Sequence, residues 1–198
     1  TLRRMGAEAT ISLVQSGFAL VGGGIIECQI QPCPKLAPID IHERGELIDM
    51  RLRVPTRNLP DSIAERILTA ALDQFPCDDA AVETREPGPG GGVCCLDQAT
   101  FANAVELSSS FGAMNVSAER VGQRAAKALA DFIGSNTPVG RHLADQILLP
   151  MALAGSGGFT TMVPDGHVPT NIDVIEKFLP VKFRIEPTDR GKRIITLS

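Results

Sequence analysis

Residues 143–153 read as a helix that is apolar on every side. A helix with no polar face has nothing to offer water, so it must lie between layers. That requirement points to a layered α/β arrangement. The residues that follow agree with it. Gly155, Ser156, Gly157 and Gly158 form a turn, and 159–162 fit a strand. A loop carrying one histidine, His167, comes next. A second helix is expected to open at Thr170, with Asp173 at the capping-box position, and to stop at Pro180. Its buried face would be Ile172, Ile175, Phe178 and Leu179. Residues 181–185 and 193–197 then read as a closing hairpin around Asp189, Arg190 and Gly191.

The N-terminal stretch reads as another hairpin. Residues 11–14 alternate, Ser16-Gly17 turns, and 25–30 form the second arm. Pro32, Pro34 and Pro38 break the pattern and suggest a crossing between units. From 38 to 136 the pattern is self-contained. Residues 47–54 fit a strand, and Ser62 with Glu65 forms a capping box for a helix with face Ile63, Ile67, Ala71 and Leu72. Strands follow at 80–84, 93–96 and 101–107. Ser117 then caps a helix whose face is Val121, Ala125, Ala128, Leu129 and Phe132. The expected fold class is therefore α/β (α+β): one core unit, residues 1–37 and 137–198, interrupted by a small α+β domain at 38–136.

With 198 residues and 43% hydrophobic composition the chain can bury a core, built without Trp or Tyr and with eight Phe. A formal charge of -4 gives no footprint for indiscriminate nucleic-acid binding. No segment reaches the run of roughly 18 apolar residues that a membrane span needs. The start lacks the apolar run of a signal peptide and lacks Met, which suggests a fragment. Five cysteines without metal spacing read as reduced, structural and cytoplasmic.

His167 is the first candidate for chemistry. A neutral imidazole can attack phosphorus near neutral pH, and a helix start beside it favours phosphate. The alternative is a solvated loop histidine. Asp145 and Gln146 stand out in an otherwise apolar helix, where a carboxylate needs a partner or a ligand. It could orient the imidazole or a nucleotide, or simply make a salt bridge or helix-end contact. The glycine runs lack the Lys-Ser/Thr of a phosphate loop and read as turns. Arg120, Arg124 and Lys127 share a helix face that reads as solvated, diluted by Glu119 and Asp131.

The segment Ala144-Asp145-Gln146, the P-x-A-L-A-G turn, Phe159-Thr160, His167 and T-N-I-D-V-I-E-K-F-L-P-V occur in that order. This series resembles the C-terminal signature of the RNA 3'-terminal phosphate cyclase family. Weaker similarity extends back to Gly17-Phe18, with Gly22 to Gly24, Glu43-Arg44-Gly45, Gly88-Pro89-Gly90 and Ser117-Ala118-Glu119. The resemblance implies ATP and a divalent metal, with Mg2+ the expected ion, acting on an RNA 3'-phosphate end. It implies that His167 attacks ATP and carries AMP before a 2',3'-cyclic phosphate forms. It also implies that His142, Leu143, Ala144, Asp145 and Gln146 line the ATP site. His142 stands where the family commonly has an aromatic, so it would stack on adenine less strongly. The family's N-terminal half lies outside this chain, so the resemblance implies association with that half or self-association, and little activity alone. A non-catalytic RNA-processing or ribosome-assembly factor is the alternative in another class.

Overall fold

The computed structural model describes residues 1–18, 20–188 and 191–197. Three sheets organise them. The first is a two-stranded ribbon, β1 (Ala9–Gln15) with β2 (Ile25–Ile30), antiparallel. Ala9 faces Ile30, Ile11 faces Cys28 and Leu13 faces Ile26. Opposed residues share a side of the sheet, so one side of the ribbon is wholly apolar. It is also exposed: Ile11, Leu13, Ile26 and Ile30 are each more than half accessible.

The second sheet has the order β3-β8-β10-β9, formed by β3 (Ile39–Ile41), β8 (Gly157–Thr161), β10 (Arg193–Leu197) and β9 (Phe183–Pro187). Helices α3 (Arg141–Gln146), α4 (Leu148–Ala154) and α5 (His167–Phe178) accompany it. Ile39, Ile41, Phe159, Ile195 and Leu197 from the strands pack with Ile147, Leu148, Met151, Val168 and Ile172 from the helical side. Met5 closes this core from the N-terminal turn.

The third sheet runs β5-β4-β6-β7: β5 (Asp79–Thr84), β4 (Leu47–Arg57), β6 (Gly92–Phe101) and β7 (Val105–Phe111). Helices α1 (Asp61–Leu72) and α2 (Ala118–Ser135) cover one of its faces. Along β6 every second residue is buried (Val93, Cys95, Asp97, Ala99 and Phe101), the period expected of a half-covered strand. Edge-on contact of Phe101 with Phe132, centroids 6.1 Å apart, makes a small core of its own, and Met162 packs on it from the second sheet. The ribbon is tied to the third sheet by buried Arg57. Its Nη1 donates to the Ser16 carbonyl at 2.8 Å, and its guanidinium lies 5.5 Å from the Phe18 ring.

The α+β class expected from the sequence holds. Several local expectations differ, each for a physical reason. Ile39–Ile41 pairs in parallel with β8, so the chain stays in the second sheet beyond residue 38 and leaves it only after Ile41. Val139 then bridges Thr161, also in parallel, and Thr161 Oγ1 donates to its carbonyl at 2.9 Å. Because Ile41 faces Phe159 and Val139 faces Thr161, residue 139 takes up the line of β3 along β8 where β3 stopped.

The helix expected at 143–153 is two helices. Pro150 has no N–H for the Gln146 carbonyl and its ring crowds that group, so the hydrogen-bond ladder breaks there. Leu149 and Leu153 are exposed, so α4 is not covered on every side. Helix α1 begins at Asp61 behind Pro60, and Ser62 makes no side-chain cap. Phe101 ends β6 rather than opening the next strand, and β7 starts at Val105. Ser117 does cap α2, accepting from the Arg120 N–H at 3.3 Å. On that helix Ala128 is exposed while Gly122 and Ala126 are buried. Phe178, expected in the core, is 82% exposed. The hairpin β9–β10 forms as expected, while its turn residues Asp189 and Arg190 lie outside the described residues.

One buried group makes stability depend on pH. Asp97 is 2% exposed, and its Oδ1 accepts only from the Cys95 thiol at 3.2 Å, while Oδ2 has no partner among the described residues. Burial pushes its carboxyl up to about 6. The folded state therefore holds a proton that the unfolded chain releases near pH 4. Stability should be greatest below that point and fall as pH rises through about 6, by on the order of 2–3 kcal/mol. Thermal melts of D97N across this window are expected to show a flatter profile. An equally steep profile in D97N would refute the assignment.

Candidate functional site

Helix α3 carries the Ala-Asp-Gln element, and its side chains go to three environments. Ala144 is fully buried in the core of the second sheet. His142, Leu143 and Gln146 line a cleft of about 660 Å³. Positions 142 and 146 are a helical turn apart, so they present one face to that space. Across the cleft stand Arg4, Phe101 and Glu106, which places it between the two larger sheets. A cavity of this size suits a nucleotide.

Asp145 faces the other way, toward α5. Its Oδ1 accepts from Asn171 Nδ2 at 3.0 Å, and its backbone carbonyl accepts from the same amide at 3.2 Å. Asn171 lies four residues after His167, so the two share a face of α5. The clamp thus fixes α3 against the helix that carries the histidine, on the histidine's side. Asp145 is half-buried, and a side-chain amide answers the question its sequence position raised.

His167 is the first residue of α5, exposed, and outside the lining of the cleft. The helix starts there rather than at Thr170. Pro169 falls in the first turn, where a missing N–H costs nothing, so it does not delay the helix. The His167 N–H donates to Asp165 Oδ1 at 3.0 Å, and Thr170 Oγ1 donates to the Gly166 carbonyl at 2.8 Å. These bonds pin the backbone and leave the imidazole free to meet a ligand. The first-turn N–H groups of a 12-residue helix give that position a positive local potential.

The structure thus brings together His142, Leu143 and Gln146 in the cleft, and Asp145 with the His167 helix. It does not bring Ala144 or the His167 ring into the cleft lining. Sequence reasoning missed Asn171 and Glu106. Asn171 stood in the T-N-I run, where only its i, i+4 spacing from His167 hinted at a role. Glu106 had no local signal. It reaches the site because β7 returns beside Phe101. Asn171→Ala is expected to cost about 1 kcal/mol of stability, since both acceptors are half-exposed, and to loosen α3 from α5. Hydrogen exchange in α3 would check it; unchanged protection would show the clamp to be idle.

Competing nucleophiles are weak. Burial pushes the thiols of Cys77, Cys94 and Cys95 up, so they stay protonated at neutral pH. Among the described residues no three His, Cys, Asp or Glu side chains could cage a metal. No described helix is long and apolar enough to cross a membrane.

Comparison with known proteins fits these observations. The family profile described as RNA 3'-terminal phosphate cyclase matches residues 1–185. An RNA 3'-terminal phosphate cyclase of Pseudomonas fluorescens is 39% identical over 188 residues, which cover 94% of this chain and 55% of that protein. The chain therefore spans about half the length of that curated relative. A match over nearly the whole chain, on a scaffold that holds the Ala-Asp-Gln helix against the histidine helix, makes this chain a member of the RNA 3'-terminal phosphate cyclase family.

Proposed function

We propose that this chain is the C-terminal portion of an ATP-dependent enzyme that converts an RNA 3'-phosphate to a 2',3'-cyclic phosphate. In this reading a neutral His167 nitrogen attacks the α-phosphorus of ATP. A P–N bond forms, the bond to pyrophosphate breaks, and pyrophosphate leaves. AMP then passes to the RNA 3'-phosphate, freeing the imidazole. The adjacent 2'-oxygen attacks that phosphorus, loses its proton and expels AMP.

One observation carries the reading: an exposed histidine on the first turn of a helix that the Asp145–Asn171 bond clamps to the Ala-Asp-Gln element. His142, Leu143 and Gln146 would hold the adenosine part in the cleft. The described residues of this chain do not form a dedicated metal cage. Mg2+, when bound, would neutralise phosphate charge while held mainly by the nucleotide and water.

Phosphoryl chemistry also needs charged clamps around the phosphates. We assign those to the N-terminal half of the family's architecture. Surface features support such a partner: the apolar side of the ribbon, Leu149 and Leu153 on α4, and Val174 and Phe178 on α5 are all exposed. The apolar side of the ribbon is the kind of face that a partner covers. RNA is then held by its end in a cytoplasmic enzyme.

The test is covalent labelling. The chain, alone and with the N-terminal half of a family member, is incubated with α-labelled ATP and Mg2+. Acid-labile, alkali-stable label is expected, mapped by peptide mass spectrometry to the peptide containing His167. Label on another residue would overturn the mechanism. No label under either condition would favour a non-catalytic binding role.

A further inference from the structure

Strand β7 ends the third sheet, and one of its sides is open. Two bonds fix the phase of its ladder. The Gly112 N–H donates to the Val93 carbonyl at 2.8 Å, and the Phe101 N–H donates to the Ala104 carbonyl at 2.7 Å. Bonded and unbonded pairs alternate along an antiparallel ladder, so the even-numbered residues of β7 bond to β6. The N–H and C=O groups of Val105, Leu107, Ser109 and Phe111 point the other way, and no hydrogen bond reaches them among the described residues. Ser108 and Ser110 are buried on the helix-covered face, so the four odd residues put their side chains on the bare face. There Val105, Leu107 and Phe111 are each more than half exposed.

Exposed edges are normally guarded by charge, proline or a bulge. The opposite edge of this sheet is guarded: β5 carries Asp79 paired with Arg53 and Glu83 paired with Arg85. Strand β7 has no lysine, arginine or proline, and its register with β6 never shifts. One sheet thus has a protected edge and an edge that invites pairing.

We propose that β7 pairs with β7 of a second copy of this chain, antiparallel about a two-fold axis at Ser108, so that the two third sheets become one. This is independent of the nucleotide reading and of the ribbon surface assigned to the N-terminal half. The edge is complementary to itself. Val105 faces Phe111 of the second copy, and Leu107 faces its Ser109. Each of the four outward residues then uses both backbone groups, and no donor or acceptor on the edge is left over. Glu106, the one charge on the strand, faces Ser110 rather than its own twin. Moving the axis by one residue leaves either Val105 or Phe111 without a partner in the strand. A contact of this symmetry closes after two copies. One strand pair is a small interface, roughly 1,000 Å² or less, so the dimer should dissociate on the order of tens of micromolar.

The experiment is site-resolved amide exchange by NMR with sedimentation on the 198-residue chain, from about 10 µM to about 1 mM. A species of twice the mass should grow with concentration. Exchange at Val105, Leu107, Ser109 and Phe111 should slow together by about fivefold or more over that range. The even-numbered amides, already bonded to β6, should change little. S109P removes an outward N–H without touching the β6 ladder, so it should weaken the dimer by about tenfold or more. L107K/S109K sets lysine against lysine across the axis and should weaken it similarly, whereas L107K/S109D sets opposite charges there and should restore it. Melting curves confirm that each variant folds.

A chain that stays monomeric throughout overturns the proposal. So does association that leaves the four amides unprotected, because the ribbon then makes the contact. A dimer indifferent to S109P and to the lysine pair is built elsewhere and refutes it equally. Protection that appears only on adding the N-terminal half would give the edge to that partner instead of a second copy.

Discussion

His167→Ala is expected to remove covalent labelling by ATP, by at least about a thousandfold, because it deletes the atom that forms the bond. The folded state should hardly notice. The ring is exposed, and the local hydrogen bond to Asp165 uses the backbone N–H, which alanine retains. The melting temperature of the variant should therefore match that of the parent. His167→Asn adds a useful control, since it keeps a polar side chain and lacks a nucleophilic nitrogen. Exogenous imidazole added to the alanine variant tests whether the lost ring alone explains the loss. Measurement is by retained label after gel separation. Label that persists in the alanine variant would discard His167 as nucleophile, whatever the family relationship.

Gly122→Ala should be the most damaging small substitution in the third sheet's layer. Helix propensity alone argues the opposite, since alanine in a helix gains up to about 1 kcal/mol over glycine. Packing overrules it here. A Cβ on Gly122 would overlap the carbonyl of Ile67 and sit 3.0 Å from the backbone nitrogen of Ala71. Both obstacles are backbone of α1, and Ile67 and Ala71 are fully buried. No rotamer change can relieve the clash, so the helices must separate. The expected net loss is about 2–4 kcal/mol, or a drop of roughly 5–15 °C in melting temperature. The chain has no Trp or Tyr, so the melt is best followed by far-UV circular dichroism. An unchanged or higher melting temperature would mean that α1 and α2 do not approach so closely.

These two residues show where sequence is a good guide and where it is not. Period was legible in the ribbon, in β4–α1–β5, in the Ser117-capped α2 and in the strands of the closing hairpin. Each is long enough for its pattern to repeat. Ile39–Ile41 is too short to show a period and lies among prolines, so its pairing with β8 was invisible locally. The break at Ile147 and the early start of α5 both turn on proline. Pro150 interrupts a ladder, whereas Pro169 sits harmlessly in a first turn. Gly122 looked like a weak point in a helix, and only the neighbouring helix explains it.

The site was legible in the same uneven way. His142, Leu143 and Gln146 reach the cleft, because a resemblance covering a whole helix carries its cleft-facing side along with it. Ala144 lay within that run and proved to be core. Asp145 demanded a partner on chemical grounds, and the partner is Asn171, 26 residues away and reachable only through the fold. Glu106 comes from the far sheet, so no spacing rule could have joined it to α3.

The way Val139 resumes the course of β3 beside β8 has a wider consequence. The segment between them is a detour that departs from and rejoins one border of a sheet at almost the same point. Such a detour leaves the order of the host strands untouched. Its anchors stay together even if its interior melts, because the entropic cost of holding the ends of a loop grows only with the logarithm of its length. The scaffold that carries the histidine can therefore accept, reshape or exchange this module over evolutionary time without losing its own connectivity.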